Sequence, residues 1–337
     1  MTTIDIHAHV IVEELLREAA PDEDWRPSVR WEDGTQVVEL GGRPMKAAVG
    51  DFVDVDEILA AQDEAGVDRI VLCPWVPLLF TGVEAEEGLR RCRLQNDALT
   101  RLARENAERI SALGAVPIQD PQLAAGELRE LIAAGELPGV ELPASVGGTY
   151  LGDDRFDPFW AAAEETGALV FIHPTTRAFG EGAFAEHYLW NLVGNPTETT
   201  ITAAHMVMSG VMERHPRLRV VLAHGGGTIM SLRGRLRHGH EHVAAAGTRL
   251  SESPLDSLRR FYYDTVTFDG DLVRELVAFA GADHVLLGSD FPFDMGDRRL
   301  VETVRAAGLD PEAERAVLGG NAERLLGLTH AQSGASA

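Results

Sequence analysis

Short apolar runs alternate with longer amphipathic stretches along most of the chain. Eight of these runs are rich in β-branched residues and carry few charges, which is typical of strands buried on both faces. They lie at residues 4–7, 69–73, 110–116, 139–142, 168–172, 219–223, 261–266 and 284–288. Patterns with helical periodicity, several of them ending at or before a glycine, occupy residues 54–65, 84–106, 121–134, 158–166, 271–280 and 297–307.

This alternation predicts an α/β protein with a parallel sheet covered by helices. Eight such units favour a single-domain (β/α)8 TIM barrel, and a doubly wound open sheet is the alternative. Two intervals exceed ordinary loop length: 10–53, after the first strand, and 175–218, after the fifth. Segments that follow barrel strands lie on the catalytic face, so we expect both insertions to form walls of a site. We assign 1–330 to the barrel and 331–337 to a flexible tail.

The composition is strongly acidic. Lysine and arginine together number 30 against 53 acidic residues, a formal charge of −23. Such a surface repels phosphate backbones and anionic membranes, so we expect neither nucleic acid nor membrane as a partner. Lys46 is the sole lysine, and any lysine-based covalent or bridging chemistry would have to use it. Cys73 and Cys92 have no metal or redox spacing, which predicts free thiols and a cytoplasmic location.

Side chains that can bind metal follow four of the predicted strands. His7 and His9 alternate on the first strand, His173 ends the fifth, His224 ends the sixth and Asp290 follows the eighth. Alternate residues of a strand point the same way, and barrel strands end at one rim, so these side chains can meet there. Each of them alone is more often a core residue or a helix cap. Together they favour a divalent metal site, with Zn²⁺ as the expected ion and Mn²⁺ as the alternative.

Four longer motifs extend this pattern: Ile4-Asp-Ile-His-Ala-His9, Ala223-His-Gly-Gly-Gly227, Gly288-Ser-Asp-Phe-Pro-Phe293 and Gly320-Asn-Ala-Glu-Arg324. Together they resemble the amidohydrolase superfamily, in the branch of the 2-amino-3-carboxymuconate-6-semialdehyde and resorcylate decarboxylases. The resemblance runs from about residue 3 to residue 328. It implies His224 as a general acid/base beside the metal, and a single Zn²⁺ held by His7, His9, His173 and Asp290. Asp290 would also move a proton.

Three further acidic residues lie near the ends of predicted strands. Binuclear members of the superfamily have a bridging lysine after the fourth strand, where this chain has Glu141. A lysine bridge is therefore excluded, and a Glu141 bridge between two metals is a minor alternative. We expect Asp5 to support the site from outside the ligand set, and we expect Asp264 to be structural.

The resemblance and the residue chemistry together predict a metal-dependent, non-oxidative decarboxylase of an unsaturated or aromatic carboxylic acid. The metal would polarise a substrate oxygen or activate a bound water. A histidine suits proton transfer at working pH, and His224 would protonate the adjacent carbon of the conjugated system, which creates an electron sink before CO₂ leaves. The same residues also suit a hydrolase (a lactonase or an amidohydrolase) or a hydratase acting on a small carboxylate. A metal-binding barrel without catalysis is a third alternative.

A small anionic organic substrate in an acidic protein needs a local cation, and arginine must supply it. The arginines expected on the catalytic side are Arg43, Arg177 and Arg235. In the branch that the chain resembles, the position of Arg235 reaches a neighbouring subunit, which implies a homodimer. Trp190 and Phe293 match positions at which the family contacts substrate.

Overall fold

The computed structural model describes residues 2–48, 50–175 and 181–328. Arg177 and the expected tail at 331–337 therefore lie outside the described residues. The strands are β1 (Ile4–Val10), β2 (Ser28–Glu32), β3 (Thr35–Leu40), β4 (Arg43–Ala48), β5 (Arg69–Pro74), β6 (Ile110–Ala112), β7 (Gly139–Pro143), β8 (Ser145–Val146), β9 (Thr149–Tyr150), β10 (Leu169–His173), β11 (Arg219–Leu222), β12 (Tyr262–Asp264) and β13 (Val285–Leu286).

Eight parallel strands form the body of the molecule. One sheet has the order β1-β5-β6 and a second has the order β7-β10-β11-β12-β13. Backbone hydrogen bonds join the two sheets on both sides. Gly114 N donates to Gly139 O at 3.0 Å on one side, and Ile6 N donates to Leu287 O at 2.8 Å on the other. The strands thus close into a barrel. The predicted TIM barrel is confirmed, in preference to the alternative of an open sheet.

Helices cover the outside of this barrel. They are α1 (Val55–Glu64), α2 (Ala85–Glu105), α3 (Pro121–Ala134), α4 (Asp157–Thr166), α5 (Asn195–Met208), α6 (Val211–Arg214), α7 (Ile229–His242), α8 (Pro254–Arg259), α9 (Gly270–Ala280), α10 (Leu300–Ala306), α11 (Pro311–Arg315) and α12 (Asn321–Leu325). Local caps fix several starts: the Asp54 carboxylate accepts the backbone N–H groups of Asp56 and Glu57, and Asp120 caps α3 in the same way.

Alternate residues of the strands face opposite sides of the barrel wall. Val170 and Val220 belong to the large cluster under the helices, whereas Phe171 and Val221 belong to a separate buried cluster. The Phe171 ring lies 4.7 Å from the ring of His7, so this second face points into the barrel. Both faces are apolar, which is why these strands read as continuous hydrophobic runs.

The insertion after β1 contains a sheet that the sequence analysis did not predict. Strands β2, β3 and β4 form an antiparallel sheet, and the turn between β2 and β3 is Asp33-Gly34, with φ of 50° and 78°. Positive φ at both turn residues is the geometry that an Asp-Gly pair favours. The insertion is tied to the barrel where Ile11 N donates to Phe52 O at 2.8 Å.

One predicted strand is shorter in the structure. The run at 110–116 forms a regular strand through Ala112, and its pairing with the neighbouring strands continues to Gly114. Beyond it, the Asn96 amide bonds both backbone groups of Ala115, at 2.8 and 2.9 Å. No helix in the described part of the chain is both long and apolar enough to cross a membrane.

Candidate metal centre and active site

Four donor side chains converge inside the carboxyl end of the barrel. His7 and His9 come from β1, His173 ends β10 and Asp290 follows β13, and one donor atom from each lies within 4.8 Å of the others. Asp290 Oδ1 is 3.1 Å from His7 Nε2, 3.2 Å from His9 Nε2 and 3.7 Å from His173 Nε2. The structure therefore brings together the four residues expected to bind metal.

Each of the three histidines is oriented through its other ring nitrogen. His7 Nδ1 bonds Asp264 Oδ2 at 2.6 Å, His9 Nδ1 bonds the carbonyl oxygen of Pro74 at 3.1 Å, and His173 Nδ1 bonds that of Pro174 at 2.9 Å. An Nδ1 that donates to oxygen leaves the Nε2 lone pair free. All three imidazoles thus present Nε2 to the centre of the donor group.

Two buried atoms at this centre have no hydrogen-bond partner among the described residues: His173 Nε2 and Asp290 Oδ1. A buried polar atom without a partner is costly, so both atoms are suited to a ligand that the protein itself does not provide. Three neutral imidazole nitrogens and one carboxylate oxygen suit a borderline divalent ion. The residues present therefore fit a divalent metal.

The electrostatic field at the donors favours positive charge. Burial opposes charging of His7, but the carboxylates of Asp290 and Asp264 outweigh it and raise the His7 pKa to about 10. At His173 the burial dominates and lowers the pKa to about 3. Burial would raise the pKa of Asp290, yet the surrounding histidines hold that pKa well below its usual value. A cation among these groups balances the buried carboxylates without a second proton on any imidazole.

His224 stands beside the donor group. Its Nε2 is 3.5 Å from Asp290 Oδ2, and its buried Nδ1 has no hydrogen-bond partner among the described residues. The residue has a φ of 57° and opens the turn His224-Gly-Gly-Gly. A Cβ at Gly227 would lie 1.9 Å from the carbonyl oxygen of Pro196, so only glycine lets this turn pack against α5.

Asp264, which was expected to be structural, contacts both histidine positions. Its carboxylate accepts hydrogen bonds from the His7 ring at 2.6 Å, from His224 N at 3.0 Å and from Gly225 N at 2.7 Å. It is fully buried at the end of β12. A signal for this role was present in the sequence, because Asp264 ends an apolar strand at the same rim as the histidines.

Asp5 supports Asp290 across the seam where the barrel closes. Its Oδ1 accepts the backbone N–H groups of His7 at 2.9 Å and Ser289 at 3.0 Å, and its Oδ2 accepts the Ser289 hydroxyl. Burial raises the Asp5 pKa to about 7, with the Ser289 hydrogen bond acting against that rise. These contacts fix the residue directly before Asp290, as expected of a supporting residue.

Glu141 lies on β7, opposite Phe171 of β10. It is fully buried, and both its carboxylate oxygens lack a hydrogen-bond partner among the described residues. Burial raises its pKa well above the usual value. Glu141 is not a member of the four-residue donor group.

The residues expected to contact substrate lie at different distances from the donors. The Phe293 ring is 5.3 Å from the His9 ring and thus borders the centre. Trp190 packs on Tyr188 at 4.8 Å, and the Tyr188 hydroxyl donates to Asp294 at 2.8 Å, next to Phe293.

Arg43, at the start of β4, and Arg235, on α7, are both exposed. Neither guanidinium makes a hydrogen bond or an ion pair with a described residue.

Comparison with known proteins identifies the family of the chain. Residues 79–328, most of the chain, match the family described as amidohydrolase. The chain belongs to the amidohydrolase family. A similar curated protein is the 2-amino-3-carboxymuconate-6-semialdehyde decarboxylase of Dictyostelium discoideum, which is 29% identical over 96% of this chain and 91% of its own length.

Two further relatives are decarboxylases as well. The γ-resorcylate decarboxylase of Rhodococcus jostii is 26% identical over 86% of this chain and 88% of its own length. The solved structure of 5-carboxyvanillate decarboxylase from Sphingomonas paucimobilis has a TM-score of 0.80 and 27% identity, covering 96% of this chain and 98% of that one. The resemblance to this branch is therefore confirmed.

Proposed function

We propose that the protein is a metal-dependent, non-oxidative decarboxylase of a small aromatic or unsaturated carboxylic acid. The observation that carries the proposal is the position of His224 beside a buried group of four metal donors. His224 Nε2 lies 3.5 Å from Asp290, and the four donors lie within 4.8 Å of one another. The two curated relatives named above are decarboxylases, and the chain aligns with most of the length of each. Their activity supports a lyase over a hydrolase.

The ion would be held by the Nε2 atoms of the three histidines and by one oxygen of Asp290. We propose Zn²⁺, with Mn²⁺ as the alternative, because both accept mixed nitrogen and oxygen donors. When bound, the metal supplies Lewis acidity, which polarises an oxygen of the substrate or of water.

His224 would act as the general acid. Its ring delivers a proton to the carbon that carries the carboxylate, and a new C–H bond forms there. The bond from this carbon to the carboxylate then breaks, its electrons restore the unsaturated system, and CO₂ leaves. The net reaction consumes one proton, which returns to His224 from solvent. Asp290 Oδ2, 3.5 Å from His224 Nε2, orients the ring for this transfer and can pass on the proton.

Substrate contacts would come from aromatic and arginine side chains. Phe293, 5.3 Å from the His9 ring, offers an aromatic edge to a planar acid and limits the access of water. Trp190 would extend this wall through its contact with Tyr188. We assign recognition of the carboxylate to Arg43, Arg177 and Arg235, because a guanidinium can bind it with two hydrogen bonds.

We also propose that the protein is cytoplasmic and forms a homodimer. Cys73 and Cys92 are both buried and unpaired, which suits a reducing compartment. Arg235 is exposed on α7, where it can reach a second copy. Light scattering coupled to size exclusion would give the mass of a dimer, and a mass of one chain at micromolar concentration would contradict this part of the proposal.

The proposed function is tested by incubating the metal-loaded protein with a panel of hydroxybenzoic, carboxyvanillic and dienoic acids and measuring CO₂ release. We expect CO₂ and the decarboxylated product in equal amounts for at least one acid. Hydration or ring opening of these acids without CO₂ would contradict the proposal and favour a hydratase or hydrolase.

A further inference from the structure

A hydrogen bond joins two loops at the carboxyl end of the barrel. The hydroxyl of Tyr188, in the segment that follows β10, lies 2.8 Å from Asp294 Oδ1 and 3.0 Å from Asp294 Oδ2, in the loop that follows β13. Asp294 comes directly after Phe293, whose ring is 5.3 Å from the ring of His9. Because Asp294 is exposed, this contact lies on the side of the candidate site that faces solvent.

The backbone at Tyr188 is strained. His187 and Tyr188 have φ of 57° and 60°, and neither of them is a glycine. Residues with a side chain rarely adopt this left-handed conformation, which persists only where surrounding contacts hold it. Shortly after it, Asn195 N donates to Trp190 O, a π-helical bond of a kind that is frequent at functional sites. The hydrogen bond to Asp294 is a contact that can hold the strained turn.

Tyr188 also contacts Trp190. The two rings are 4.8 Å apart and meet edge to face. Burial raises the pKa of Tyr188, and the hydrogen bond to Asp294 and the charges of Asp294 and Asp290 add to the rise, so the hydroxyl keeps its proton. One side chain therefore ties the segment that carries Trp190 to the loop that carries Phe293.

We propose that the hydrogen bond between Tyr188 and Asp294 is a latch, which holds residues 181–194 closed over the mouth of the candidate site and so retains a bound acid. This inference rests on the proposed function, because the acid is the molecule retained. Water competes for the exposed Asp294 carboxylate, so the bond can open and close again. Opening relaxes the left-handed turn, releases Trp190 and lets the acid enter or leave.

A simpler explanation is that the bond only stabilises a turn at the surface. Its loss would then loosen the turn and leave the affinity for the acid unchanged. Loss of a latch has a second effect, because a more open segment lets the bound acid dissociate faster. KM then rises, whereas kcat is nearly unchanged because His224 and the four donors are intact.

The test compares Tyr188→Phe with the wild type in the metal-loaded, full-length protein. This substitution removes the hydroxyl and keeps the ring that contacts Trp190. We expect hydrogen–deuterium exchange, measured by mass spectrometry, to be several-fold faster in peptides that cover residues 185–195. KM for an acid of the panel above that releases CO₂ should rise several-fold, with kcat nearly unchanged. Asp294→Ala should have the same effects, and the double variant should exceed neither single variant, because both remove one bond.

Two further variants serve as controls. Asp294→Asn keeps an oxygen that can accept the Tyr188 hydroxyl, so exchange should be slower and KM lower than in Asp294→Ala. Tyr262→Phe removes the hydroxyl of a tyrosine at the start of β12, which stacks on His284, and it should match the wild type.

The outcomes separate the latch from the proposed function. CO₂ release by the wild type, together with unchanged exchange or unchanged KM in Tyr188→Phe, would overturn the latch alone. A wild type that releases no CO₂ from any acid of the panel would contradict the proposed function, and the latch would fall with it because the acid is then not its ligand.

Discussion

Asp264 acts on two histidines at once. Its carboxylate orients the His7 ring and accepts the backbone N–H of His224, at 2.6 and 3.0 Å. The substitution Asp264→Asn keeps the shape but weakens the acceptor that holds His7 Nδ1 protonated. Partners of this kind typically contribute 10- to 100-fold to metal affinity. We therefore expect metal binding weaker by about that factor in a chelator competition. Asp283→Asn, at an exposed carboxylate, is the control, and equal affinity in the two variants would contradict this role.

Two histidine substitutions separate binding of the metal from proton transfer. His173→Ala removes one donor, so we expect loss of the bound metal together with activity. His224→Asn leaves all four donors, so we expect the metal to remain while turnover falls about 10²- to 10⁴-fold. Metal content by mass spectrometry and the rate of CO₂ release measure the two effects. Loss of metal from His224→Asn would make that residue a ligand.

Donor residues were predictable from the sequence because a histidine or aspartate at the end of an apolar strand stands out. Asp264 also ends a strand at this rim, but its contact with His7 was not predicted, because it gives no spacing signal with another ligand. Its role depends on the pairing of β12 with β11, which leads to His224, and on the closure of the barrel, which brings His7 of β1 to the same end. Arg43 and Arg235 were placed by resemblance alone, and their positions depend on loops and subunits that no local pattern encodes.

At the scale of elements, the eight strands and their order followed from the alternation of apolar runs, whereas strand ends did not. The pairing of β6 with its neighbours stops after Gly114, where the Asn96 side chain bonds the backbone of Ala115 instead. The sheet of β2, β3 and β4 was missed, although Asp33-Gly34 and Gly41-Gly42 are strong hairpin signals. The many polar residues of this insertion obscured the apolar–polar alternation along its strands.

Asn321, in the fourth sequence motif, connects α12 to the last barrel strand. Its buried amide nitrogen donates to the carbonyl oxygens of Ala282 and Val285, both at 2.7 Å. Asn321→Ala leaves both acceptors without this donor, so we expect a loss of about 1–3 kcal/mol in the free energy of unfolding. Thermal unfolding should show a lower midpoint, with CO₂ release per folded molecule retained. Exposed Gln122→Ala is the control, and an equal midpoint for the two variants would contradict this account.

At the scale of the whole molecule, the net charge of the protein has the same sign as the charge of its proposed substrate. A net charge of −23 repels an anionic acid, and in the proposed function the attraction comes from the metal and the assigned arginines. Raising ionic strength from about 0.01 to 0.15 M shortens the Debye length from about 30 to 8 Å and screens the distant charges most. We therefore expect KM for the acid to fall as salt rises, while the inhibition constant of a neutral phenol stays constant. A rise in KM with salt would contradict this expectation. It would indicate that attraction by the groups around the site outweighs repulsion by the distant negative charges.

The central claim is that the four-donor group, once it holds a divalent metal, releases CO₂ from an aromatic or unsaturated acid. The most direct measurement strips the full-length protein with a chelator, adds back Zn²⁺ or Mn²⁺ stepwise, and records CO₂ release at each step. We expect no release from the stripped protein and a rate that rises with the added metal. Decarboxylation that continues unchanged in the stripped protein would contradict it.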